Sequence, residues 1–127
     1  MSGPDFLLDT NIVIELLKGE PAARTLYKVN LASGHLFASQ ITRIELLSFP
    51  DIQPDEEQRI IAFLNRVRVL PISTSIEATA ISLRKKHRLR IPDAIILATA
   101  SCHGCILVSR DLSLIRKAAG IVSCLSP

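Results

Sequence analysis

Ile91-Pro92-Asp93-Ala94-Ile95-Ile96-Leu97-Ala98-Thr99-Ala100-Ser101-Cys102-His103-Gly104-Cys105-Ile106-Leu107-Val108 places two elements back to back. Pro92 suits the first turn of a helix, where the N–H it lacks would have no partner anyway. From Asp93 to Cys102 the residues are apolar nearly all round, so this helix has no face for water and belongs in an interior. Gly104 stops it. Ile106-Leu107-Val108 follows as a short apolar strand of the kind covered on both faces.

The alternation continues in both directions from there. Before it, Ser73-Thr74-Ser75 caps a helix reaching about Lys86. Val69-Leu70-Pro71-Ile72 is a strand whose proline marks an edge or an end. Pro54 and the acids 55–57 start a helix to about Val67, since acids in a first turn suit the helix dipole. Ser39 or Thr42 caps a helix that carries Ile41, Ile44 and Leu47 and ends before Pro50, after a strand at 36–38. The chain opens with a strand at 6–8, a helix at 11–18 closed by Gly19, and a helix from Pro21 to about Ser33 closed by Gly34. After Val108 come a helix at 112–119 and a strand at 121–125. Right-handed crossovers turn this order into an α/β fold, a three-layer α/β/α sandwich with a mainly parallel sheet of about five strands. Residues 1–127 read as a single domain.

Composition narrows the class. Of 127 residues, 48% are hydrophobic and 21% charged, the mix of an ordinary globular protein. The apolar run at 94–100 is less than half the ~20 residues a spanning helix needs, so no membrane is expected. The opening Met-Ser-Gly-Pro-Asp puts an acid where a secretory leader would be basic. Three cysteines, odd in number and late in the chain, point to reduced thiols and a cytoplasmic setting. The net charge of +3 is unevenly spread: Arg84-Lys85-Lys86-His87-Arg88-Leu89-Arg90 holds five of the fifteen basic residues. The remainder, ten basic against twelve acidic residues, is net −2. A basic patch on a nearly neutral body suits a polyanion partner, although a solvated helix end would look the same.

Ligands of a parallel sheet sit beyond the carboxyl ends of its strands. Asp9 directly follows the first strand, Asp111 lies three residues past Val108, and Asp93 opens the buried helix. Glu45 stands four residues after Ile41, about 40° round the helix, bordering the apolar stripe. Asp9, Asp93 and Asp111 each also read as ordinary helix N-terminal acids; Glu45 has no such explanation. Carboxylates gathered this way either take up protons or bind a cation. All-oxygen ligands favour Mg²⁺ or Mn²⁺ over zinc.

Phe6-Leu7-Leu8-Asp9-Thr10-Asn11, Ile41-Thr42-Arg43-Ile44-Glu45-Leu46-Leu47, Arg90–Ala100 and Leu107-Val108-Ser109-Arg110-Asp111 together resemble the four signature segments of PIN-domain ribonucleases. The likeness is closest to VapC-type toxins and spans nearly the whole chain. It implies a PIN-like fold and a Mg²⁺- or Mn²⁺-dependent endoribonuclease. Asp9, Glu45, Asp93 and Asp111 would be the metal-binding catalytic acids, with Asn11 and Ser109 as polar neighbours. The resemblance also implies a homodimer and a small antitoxin whose tail masks the site. Ile12, Ile14, Leu17, Leu26 and Tyr27 are candidate surfaces for those partners, or core. One departure stands out: Ser113 and Leu114 occupy positions where the family often has a second acid and an aromatic. That leaves fewer carboxylates for a second metal.

The phosphate contacts expected for RNA are Arg84, Lys85, Lys86, Arg88 and Arg90, joined by Arg43 and Arg110. Arg43 also reads as a solvent-facing helix residue, and Arg110 as the partner of an acid. With five aromatics and no Trp, a stacking platform for single strands is not expected. Cys102-His103-Gly104-Cys105 has a redox-like spacing but sits at a helix C-terminus, the wrong end for a reactive thiolate. Buried small thiols are the expectation. His35 and His103 fall at the edge opposite the acids, and His87 is solvated. A haloacid-dehalogenase-like phosphatase would want a second acid at position 11, which is Asn11. The other alternative is a catalytically silent PIN-like module that binds RNA or a partner.

Overall fold

The computed structural model describes residues 3–127; Met1 and Ser2, the start of the segment weighed as a leader, lie outside the described residues. The order is β1 (Asp5–Leu8), α1 (Thr10–Lys18), α2 (Pro21–Leu26) running on into a π-turn at Tyr27–Leu31, β2 (His35–Ser39), α3 (Gln40–Leu47) and α4 (Pro54–Arg66). Then follow β3 (Arg68–Leu70), α5 (Thr74–His87), α6 (Ile91–His103), β4 (Ile106–Val108), α7 (Leu112–Ala118) and β5 (Cys124–Leu125). The five strands pair in parallel in the order β3-β2-β1-β4-β5.

Side chains alternate across that sheet and divide the core in two. Leu7, Leu107, Leu70 and Phe37 pack with Ile76, Leu83, Leu97 and Leu114 of α5, α6 and α7. Phe6, Leu8 and Val108 pack with Ile12, Leu26, Leu46 and Leu64 of α1–α4. Register keeps like with like: Leu7 stands opposite both Phe37 and Leu107, and Leu8 opposite Val108. The two clusters are the outer interfaces of the three-layer sandwich. Gly19 closes α1 at φ 70°, where a side chain would be strained.

Several boundaries differ from the sequence reading, each for a hydrogen-bonding reason. β3 stops at Leu70 because Pro71 has no N–H; the Ile72 N–H goes instead to Gln40 Oε1 at 2.9 Å. β5 is two residues long, not five, because Ile121 and Val122 turn back to the Ala118 carbonyl at 2.9 and 3.2 Å. The second helix ends at Leu31, its last turn widened so that the Ala32 N–H reaches Tyr27 O. Among the described residues no helix is long and apolar enough to cross a membrane.

Candidate active site at the carboxyl edge of the sheet

Asp9 leaves β1 with its N–H donated to the Val108 carbonyl at 2.9 Å, so it sits between the two central strands. It is 6% exposed. Its Oδ1 accepts from the Thr10 N–H and its Oδ2 from the Ser109 hydroxyl, both at 2.8 Å. Ser109 is fully buried, and its Oγ in turn accepts the Asp111 N–H at 3.0 Å. One serine therefore ties two of the acids together. Burial pushes the Asp9 carboxyl above its ordinary range; the Ser109 and Thr10 hydrogen bonds oppose this, and the charges of Asp93 and Asp111 add to it.

Glu45 reaches the same edge from α3. The Thr10 hydroxyl donates to Glu45 Oε1 at 2.7 Å, which leaves Thr42, 3.0 Å away, to donate to Thr10. Asp111 spends Oδ1 on the N–H groups of Ser113 and Leu114, capping α7. Asp93 pairs through Oδ2 with Arg90 Nε at 3.2 Å. This hydrogen bond, and then the charge of Asp93, raise the guanidinium pKa further, with smaller contributions from Asp111 and Glu45.

All four acids, with Asn11, Thr10 and Arg90, line one cleft of about 470 Å³. They face it without closing on a point: among the described residues no three Asp, Glu, His or Cys side chains form a ready coordination set. Within the hydrogen bonds described, Glu45 uses only Oε1, Asp93 only Oδ2 and Asp111 only Oδ1. The second oxygen of each is left for a ligand. An all-oxygen donor set on an open cleft fits a hard divalent cation that keeps some of its water.

The basic residues line different hollows or none. Arg90 stands on the rim of the acid cleft. Arg84, Lys85 and Arg88 line a separate hollow with Ile81 and Leu89, Arg88 there taking a left-handed φ of 53°. Lys86 is exposed on the last turn of α5, and Arg43 is exposed on α3. Arg110 is gripped by Glu15 of α1 through three contacts of 2.7–3.0 Å. Sequence reasoning missed Glu15, Thr10 and Thr42. Thr10 had one available signal, its place between Asp9 and Asn11.

One expectation needs correcting. Cys102 is exposed, not buried, because the last turn of α6 carries it to the surface, where its Sγ lies 3.5 Å from Thr79 Oγ1. Cys105 is buried, and that burial pushes its thiol up to about 11, so it is unreactive at neutral pH. Ile12 and Leu26 belong to the core and offer partners nothing, whereas Tyr27 is 42% exposed. His35 pairs with Asp5 at 3.3 Å at the start of the strands, opposite the acids.

A parallel α/β/α sandwich with four carboxylates lining one cleft at the carboxyl edge of its sheet defines a class, and the family comparison agrees. A PIN domain family model matches residues 6–120, so the chain belongs to the PIN-domain family. Among solved structures it is similar to a toxin–antitoxin complex from Klebsiella pneumoniae, at 32% identity over 94% of each chain with a TM-score of 0.77. VapBC2 from Rickettsia felis, bound to a DNA fragment from its promoter, shares the fold at 17% identity and a TM-score of 0.81, covering 96% of this chain and 98% of that one. VapBC-1 from nontypeable Haemophilus influenzae does so at 23% identity and 0.76, covering 96% and 97%. No curated protein matches the chain. The two VapBC likenesses show a shared fold.

Proposed function

We propose that the chain is the toxin of a VapBC-type toxin–antitoxin pair, a Mg²⁺- or Mn²⁺-dependent endoribonuclease that hydrolyses RNA phosphodiester bonds. The observation that carries this reading is the meeting of Asp9, Glu45, Asp93 and Asp111 around one cleft in a PIN-domain chain. Those four acids hold the ion. When bound, it supplies water activation and neutralises charge developing on the phosphate. Ser109 and Thr10 keep Asp9 and Glu45 in place, and Asn11 orients the substrate or its water. Among the described residues no histidine lines the cleft to activate the Thr10 or Ser48 hydroxyl and no cysteine lines it, so this reading takes water as the nucleophile, with one of the acids accepting its proton. Arg43, Arg84, Lys85, Lys86, Arg88, Arg90 and Arg110 supply phosphate contacts, Arg110 only on leaving Glu15.

The antitoxin expected as partner has a place to lie. A groove of about 400 Å³ lined by Leu17, Leu46, Ile52 and Ile60 shares Ile14, Phe49 and Pro50 with the acid cleft. An apolar segment seated there would cover the acids. The same reading takes the chain to be a cytoplasmic homodimer.

A catalytically silent PIN-like module is the second reading, favoured by one observation: Asp93 already has a cationic partner in Arg90. Incubating the purified chain with RNA in Mg²⁺, Mn²⁺ and EDTA separates the two. Cleavage that requires a divalent ion, and falls by orders of magnitude in a folded Asp9→Asn protein, supports the nuclease. Binding without cleavage supports the silent module, and cleavage that survives EDTA or Asp9→Asn defeats the mechanism.

A further inference from the structure

Three of the four acids are answered by neutral groups: Asp9 by a hydroxyl and an N–H, Glu45 by a hydroxyl, Asp111 by two N–H groups. Asp93 alone among them is answered by a full positive charge, Arg90 Nε at 3.2 Å. The two sides of that pair are unequal. The Arg90 side chain is 79% exposed, whereas that of Asp93 is 17% exposed. Arg90 makes no other side-chain hydrogen bond among the described residues. It precedes α6 with extended backbone (φ −66°, ψ 155°), so only its flexible side chain reaches over the first turn to the carboxylate.

We infer that Arg90 is a displaceable counter-ion. It holds the Asp93 carboxylate while no metal is present, yields it to a divalent cation, and then offers its guanidinium to a phosphate of the substrate. The inference rests on the metal-dependent reading above and adds an order of events within the site. A guanidinium on Asp93 Oδ2 and a divalent ion on the free oxygen repel each other and draw on the charge of one carboxylate. The arginine is the partner that moves, because leaving costs almost no buried surface. Exposed ion pairs are weak, so the competition reduces metal affinity by a modest factor without abolishing it. Once free at the rim, a planar fork of donors is well shaped for phosphate oxygens.

Two titrations test this with no turnover involved. Mn²⁺ is titrated into metal-free wild type and Arg90→Gln by calorimetry. A fully 2′-O-methyl phosphorothioate oligonucleotide, which resists hydrolysis, is then bound to each in Mn²⁺ over a range of salt. The expected result is Mn²⁺ affinity roughly two- to five-fold tighter in Arg90→Gln, the size of an exposed ion pair. Oligonucleotide binding should be weaker, with a salt slope shallower by about one phosphate contact. Mn²⁺ affinity that is unchanged or weaker in the variant overturns the inference, as does an unchanged oligonucleotide slope. A wild type that shows no saturable Mn²⁺ binding defeats the metal-dependent reading itself, a failure distinct from the first.

Discussion

At Asp9 the burial that holds the carboxylate still also makes ionisation costly. A carboxyl whose pKa is higher folded than unfolded binds its proton more readily in the folded chain. Stability from this group is therefore greatest below the ordinary value of 3.8, declines as pH rises through the folded pKa, and is then flat. Asp9→Asn removes the charge and with it this pH dependence. In EDTA the variant should melt no lower than wild type at pH 7, and its advantage should shrink as pH falls from 7 toward 4. An advantage that grows toward acid would mean the folded carboxyl is stabilised as an anion. The four acids were legible in the sequence because each follows a strand, opens a helix or borders an apolar stripe. Thr10 and Thr42 were not, because their roles depend on contacts 32 and 35 residues apart in the chain. Arg110 was legible as a charge, but its commitment to Glu15, 95 residues away, was not.

Among the elements, α5 and the loop after it carry the basic run, but the fold divides that run. Arg84, Lys85 and Arg88 share one hollow while Arg90 turns to the acids. Neutralising Lys85, Lys86 and Arg88 together should weaken RNA binding and flatten its salt dependence by up to about three phosphate contacts. Cleavage at saturating RNA should stay within a few-fold of wild type. A salt slope equal to that of wild type would return the run to ordinary solvated surface. Strand and helix identities were readable from apolar runs and punctuation by glycine and proline. The ends of β3 and β5 were not, since they depend on where single N–H groups go: Ile72 to Gln40, Ile121 to Ala118. The Cys102-x-x-Cys105 spacing does fall at the end of a helix, and its two thiols part ways, one to the surface and one to the core.

For the whole molecule, a metal that binds only the folded state adds stability by linkage, about 2.7 kcal/mol when its concentration is 100 times Kd. Wild type should therefore melt at a higher temperature as Mg²⁺ is raised, and Asp9→Asn should respond much less. Equal shifts in both proteins would place the ion elsewhere. The three layers were legible from the alternation of elements. The spatial order β3-β2-β1-β4-β5 was not, because no local pattern records which strands become neighbours. That order has a consequence for synthesis. Asp9 emerges early, but the strand that flanks it and the serine that grips it are made about a hundred residues later. A growing chain still attached to the ribosome, lacking β4, has no seat for Asp9 and no Asp111 beside it. The carboxyl edge of the sheet is thus assembled last, when β4 docks beside β1 and brings Ser109 and Asp111 to Asp9.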